Sequence, residues 1–259
     1  GLEYRSQGEG ARLDLHLSMS VAGNFSELAF DSLRLHLAGD PYVSQGLYLN
    51  LLRHLDGICL LLLDHDGMPI IASDGMPVML RLAADQVRPV GFSKEQALIP
   101  YPQNALGGYR HLQEYFAFPE KYLFVDVEGL SVLHTLSHEL LRQAHGMVMR
   151  FEHRTHGREA QRPTLDNIKL YCTPIVNLFK QDAIPIRLDG KQDEYLLVPG
   201  EYTPGNASVF SVDQVTGWRP GGLGYQTYVP FESFEHDCDT EPLAAPPSYS
   251  IRQRSSVQH

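Results

Sequence analysis

Residues 166–198 read DNIKLYCTPIVNLFKQDAIPIRLDGKQDEYLLV, and the alternation within this stretch decides the fold class. Ile168, Leu170 and Cys172 alternate with Lys169 and Tyr171, which predicts a short strand with one apolar face. Thr173 and Pro174 then change the conformation: Thr is a good N-cap, and Pro suits the first helical position, where no N–H is needed. Ile175, Leu178 and Phe179 follow at helical spacing and predict one short turn of helix pinned to a core. A second apolar strand over 184–188 runs into Asp189-Gly190, a dipeptide that favours a tight hairpin turn, and residues 195–198 return. The stretch holds no nucleophile–base pair and no phosphate-binding loop.

Working outward toward the N-terminus, Leu13, Leu15, Leu17, Met19 and Val21 alternate with polar residues, as in a half-buried strand, and Leu33, Leu35 and Leu37 repeat the pattern. Gly39 ends that second strand, and Asp40-Pro41 opens a helix as cap and first residue. Val43, Leu47, Leu51 and Leu55 recur every four residues, so the helix is expected over 41–55, with Gly57 as its stop. Residues 58–63 form an apolar run of strand length, covered on both faces. Asp66-Gly67 and Asp74-Gly75 are turn signals. Strands are expected over 76–82, 87–92, 122–127 and 147–151, with a short helix whose apolar face is Tyr109, Leu112, Tyr115 and Phe116, closed by Pro119. One more strand is expected over 208–215.

The polar run 155–163 marks a lobe boundary. It divides the chain into a first β-rich lobe, 1–160, a second lobe, 161–239, and a Pro- and Ser-rich tail, 240–259, expected to be flexible or extended. Strands outnumber short, scattered helices. The predicted class is α+β: β-rich, mainly antiparallel sheets, in two lobes.

A chain of 259 residues with 43% hydrophobic and 20% charged residues is long and apolar enough to bury a core. Its net charge of −10 argues against sequence-independent nucleic-acid binding, which needs a surplus of Lys and Arg, and against docking on anionic lipid; basic protein partners are what it favours. Three widely spaced cysteines, Cys59, Cys172 and Cys238, do not make a disulfide framework; Cys59 and Cys172 read as small buried hydrophobes in a reducing compartment. The longest apolar run is too short to span a bilayer, and no signal peptide is expected. Beginning at Gly1 within apparent structure, the sequence reads as a piece of a larger protein.

Three blocks carry a resemblance: LHLAGDPYVSQGLYLNLLRHL, then GYRHLQEYFAFPEKYLFVDV, then CTPIVNLF with PIRLD and EYLLV. In this order they resemble the TssF family (also called VasA or ImpG), baseplate subunits of bacterial type VI secretion, from about residue 33 to 215. The family's N-terminal region has no counterpart here, and nothing aligns after Asp239. The resemblance implies a non-catalytic wedge subunit that scaffolds contractile sheath assembly around the spike. It also implies partners: TssG, TssK, TssE, VgrG, the sheath and a second copy of TssF. The location it implies is the cytoplasm, with the baseplate docked at the inner membrane complex and not inserted into the membrane.

Each reactive grouping in the sequence has a plainer role beside it. His134 and His138, with Glu139 next in HTLSHE, would put both imidazoles on one helix face as two zinc ligands, the alternative being a metal-dependent hydrolase using all three; but the Glu follows the second His, so the base position of HExxH is empty. His236, Asp237, Cys238 and Asp239 point opposite ways on an extended chain and read as a polar turn. His153, His156 and Arg158 form a basic knot, read as a solvated loop in preference to an anion or partner contact. The GGLG of residues 221–224 lacks the Lys-Ser/Thr of a P-loop. Asp64 and Asp66 around His65 read as turn residues. Glu114, Glu120 and Lys121 sit among aromatics in EYFAFPEK; an ion pair under corner packing of Tyr115, Phe116 and Phe118 is preferred to a partner-contact ridge. Exposed aromatic platforms leave a carbohydrate-binding β-rich module as a third reading. No catalytic, cofactor or metal residue is assigned.

Overall fold

The computed structural model describes residues 1–7, 10–19, 23–28, 30–101, 106–154, 162–201, 206–219, 224–231 and 247–252. In chain order its elements are β1 (Leu2–Gln7), β2 (Gly10–Ser18), β3 (Leu33–Leu37), α1 (Pro41–Arg53), β4 (Leu55–Leu63), β5 (Met79–Leu82), β6 (Val87–Pro89), α2 (Gly107–Ala117), β7 (Phe124–Val127), α3 (His138–Gln143), β8 (Gly146–Arg154), β9 (Ile168–Lys169), β10 (Val215–Arg219), β11 (Gly224–Pro230) and β12 (Ser248–Tyr249). The chain is β-rich, with antiparallel sheets and few, short helices. It divides into two compact units, Gly1–Val176 and Asn177–His259.

The first unit holds two antiparallel sheets, ordered β1-β2-β8-β4-β5 and β6-β7-β3-β9. In the larger sheet the register sets core residues in rows: Leu13–Phe151–Ile58 and Leu15–Met149–Leu60 lie opposite one another across three strands. All six are buried. Successive side chains leave opposite faces of a strand, so the row Asp14–Arg150–Cys59 lies on the other face. Asp14 thus faces Arg150, which clamps it through Nε and Nη2 at 2.9 and 3.1 Å.

Helix α1 starts where Asp40 accepts the Tyr42 N–H at 2.9 Å, with Pro41 in the first turn. Gly39 at φ +85° turns the chain from β3 into that cap. The helix buries Val43, Leu47 and Leu51 and touches β3, β4, β6 and β8, strands of both sheets. Each such side chain contributes roughly 1.5–3 kcal/mol by leaving water. The helix ends at Arg53, not at residue 55: Leu55 already pairs with His153, and Gly57 sits at a register shift in that pairing.

The opening stretch departs most from expectation. The strand predicted over 168–172 is reduced to Ile168–Lys169, paired with Leu37 and His36 of β3, because Tyr171 adopts φ +58° and breaks the alternation. Residues 173–181 contain no helix. Ile175, Leu178 and Phe179 are exposed, so a one-turn nucleus finds no core to offset its cost. The return from 184 to 198 exists as an isolated bridge, Ala183 with Pro199, supported by Ile184 N–H to Val198 carbonyl at 2.9 Å. Gly190, at φ +67°, makes its turn.

The lobe boundary also differs from the one read at 155–163. Residues 162–176 belong with the first unit, since β9 completes its smaller sheet and Ile168 enters its core. In the second unit, 208–214 is irregular and the strand begins at Val215. The tail read as flexible contributes β12, which pairs in parallel with β11 through Val229 and Pro230.

Candidate functional site

Helix α2 has the reverse of the expected orientation. Tyr109, Leu112, Tyr115 and Phe116 face outward; Phe116 is 81% exposed and Tyr109 64%. The buried residues of the helix are Arg110 and Glu114. They lie four apart, so one face carries both, and that face is turned inward.

The cluster beneath the helix explains the inversion. Glu114 and Lys121, 2% and 1% exposed, form a direct ion pair. The other carboxylate oxygen of Glu114 accepts the N–H groups of Leu98 and Ile99, at 2.7 and 3.3 Å, and Tyr122 donates its hydroxyl to the carboxylate at 3.2 Å. Arg110 Nη2 donates to the carbonyls of Phe92 and Ser93, both at 3.1 Å. Burial pushes the Glu114 carboxyl up, but the Lys121 ammonium and the two backbone N–H groups outweigh it and hold it below the ordinary value. Burial, helped by the Glu114 charge, pushes the Tyr122 hydroxyl up to about 12. Burial, with the charges of Arg110 and Lys121, lowers His111, which keeps its imidazole neutral.

Helix and loop 92–99 are thus pinned by polar bonds, and the helix's two charges are used internally. What α2 shows to solvent is Gly107, Gly108, Tyr109, Leu112, Gln113, Tyr115, Phe116 and Ala117, with no charge among them. The ion pair read in EYFAFPEK therefore exists between Glu114 and Lys121, while the rings beside it stay exposed and do not pack a corner; Phe118 is also exposed. The available signal was the Arg110–Glu114 spacing, which marks the opposite face as equally able to be buried once Lys121 supplies a counter-charge.

The second unit is a further unusual surface. Among its described residues none is buried, while Ile186, Leu188, Leu196, Trp218, Tyr225 and Phe231 are exposed. Its three strands are ordered β10-β11-β12.

The residues considered for chemistry are not brought together. His134 lies in a 3₁₀ turn, Leu130–Thr135, and His138 starts α3; with Glu139 both are exposed, and they do not share a helix face. Among the described residues, the group with ligand atoms within 4.8 Å of one another is Asp64, His65 and Asp66. There Asp64 Oδ1 accepts the N–H groups of Asp66 and Met68, both at 2.9 Å, as a turn residue does. His153 of the basic knot is buried on β8, not solvated, and burial lowers its pKa. His156, Arg158, residues 221–223 and the 236–239 cluster lie outside the described residues. Cys59 is buried in β4; Cys172 is half-buried in irregular chain after the bend at Leu170 and Tyr171, not in a strand. Among the described residues no helix is long and apolar enough to cross a membrane.

These features define a β-rich protein whose distinctive surfaces are apolar and whose polar clusters are spent on holding shape. The chain belongs to the type VI secretion system TssF family, whose match covers residues 2–259 and so extends beyond the 33–215 read from the motifs, taking in the stretch after Asp239 where no alignment was expected. It is 32% identical over 219 residues to type VI secretion system component TssF1 of Pseudomonas aeruginosa PAO1; the match covers 82% of this chain and 32% of that protein, so the chain spans about a third of its length. A chain of the type VI secretion system TssK-TssF-TssG baseplate subcomplex, solved by cryo-electron microscopy, is similar at a TM-score of 0.61 and 26% identity, over 88% of this chain and 40% of that one.

Proposed function

We propose that this chain works as a structural, non-catalytic part of a type VI secretion baseplate subunit, assembled in the cytoplasm with TssG and TssK. The observation that carries the reading is the second unit: a folded segment with no buried residue among those described, and with Trp218, Tyr225 and Phe231 in or beside its sheet, gains stability by giving that surface to a partner. The first unit supplies the rigid support, with a core that α1 shares between two sheets. Contacts with TssE, VgrG, the sheath and a second copy of the subunit, and docking at the inner membrane complex, extend the same reading. Metal-dependent hydrolysis would use His134, His138 and Glu139, which are exposed, lie on two separate elements and do not share a helix face. A sugar platform needs polar groups beside its rings, and α2 shows rings with its charges withdrawn.

Coexpression with TssG and TssK from the same organism tests the proposal. A complex that survives gel filtration is the expected outcome. A chain that elutes alone, with TssG and TssK in a separate complex, overturns it.

A further inference from the structure

We infer that the outward face of α2 is a docking surface for an amphipathic helix of a baseplate partner, one with an aliphatic stripe and Lys or Arg at its margin. This inference rests on the baseplate reading and names a surface for it. The first support is spacing. Tyr109, Leu112 and Phe116 stand three and four residues apart, the interval at which side chains stack along one helix face and receive another helix. Tyr115 widens the stripe, its ring 5.8 Å from that of Phe116.

The second support is charge. A surface helix ordinarily turns charged residues to water. Here Arg110 and Glu114 are buried and bonded, and the exposed face is uncharged over three turns. An ion pair withdrawn from water is weak evidence for stability in itself, so orienting the helix is a sufficient role for it. Uncharged aromatic faces of this kind form the centre of protein interfaces.

The margin decides the occupant. Glu120 is exposed just past the helix, and the chain carries a net charge of −10. A second copy would bring like charge to the same place. Anionic lipid would be repelled. A partner helix with basic flanks is attracted, and it covers the rings.

The test uses the chain coexpressed with TssG and TssK. Phe116→Ser combined with Tyr109→Ser should reduce capture at least tenfold while leaving the thermal midpoint of the isolated chain unchanged, because both side chains are mostly in water. Phe116→Leu should retain capture. Glu120→Lys should weaken it, more at low salt than at high. Undiminished capture by the double variant overturns the inference while the baseplate reading stands. A chain that is dimeric by light scattering, and that the double variant makes monomeric without loss of capture, assigns the face to a second copy and overturns it as well. Binding to phosphatidylcholine vesicles that the double variant abolishes, with capture intact, does the same. Failure of the unmodified chain to capture TssG or TssK overturns both readings.

Discussion

Glu114 and Lys121 exchange water for each other in a buried ion pair. Removing one partner of a buried pair leaves the second uncompensated, at a cost of about 3–5 kcal/mol. Lys121→Met is therefore expected to lower unfolding free energy by that amount in urea titrations, whereas Phe116→Ser, on the opposite side of α2, should change it by under about 0.5 kcal/mol. Histidines set the response to acid. Burial holds His36, His111 and His153 below the ordinary value of about 6.5, so the unfolded chain binds protons in a range where the folded chain does not. Stability should fall as pH drops below about 6.5, and His153→Gln should flatten that fall in denaturation series between pH 7 and 5.5. Glu114 acts lower: its contribution is present above the ordinary carboxylate value and is lost as pH falls below that value and through the depressed one of the folded state.

At the scale of elements, the junction between β3 and α1 is the most sharply specified. Gly39 holds φ +85°, and a Cβ there would meet Asn167 Nδ2 at 2.7 Å. Asn167 meanwhile donates to the Ala38 carbonyl at 3.0 Å, tying the 3₁₀ turn before β9 to the end of β3. Asp40→Ala removes only the cap and should cost about 1 kcal/mol. Gly39→Ala adds the left-handed backbone penalty and the clash, and should cost at least about 1–2 kcal/mol, both read from the thermal midpoint. Asp-Pro after a glycine is legible in a sequence because cap, first-turn proline and left-handed turn are local preferences. The short helix expected at 173–179 has the same local credentials and does not form. Its apolar residues meet no core, and one turn of helix cannot support itself.

For the molecule as a whole, the two units should differ in protection. Amides of β2, β4 and β8 lie under a continuous core and should exchange only on global unfolding, while those of 206–219 and 224–231 should exchange within minutes in the isolated chain and slow in the proposed complex with TssG and TssK. Hydrogen-exchange mass spectrometry on the chain and its complex reads both. Alternation of period two in β2, β3 and β8, the four-residue spacing of α1 and the aspartate–glycine turns were all written in the amino acids, because each is an interaction between neighbours along the chain. Local patterns of this kind determined that the protein is β-rich and antiparallel, and that its helices are short. Only the tertiary structure decided which face of α2 is turned to water, that β9 belongs with β3, and that the described residues of 177–252 include none that is buried. Burial is settled between segments far apart in sequence: Lys121 must reach Glu114 before an ion pair becomes a better inside than four aromatic and aliphatic side chains.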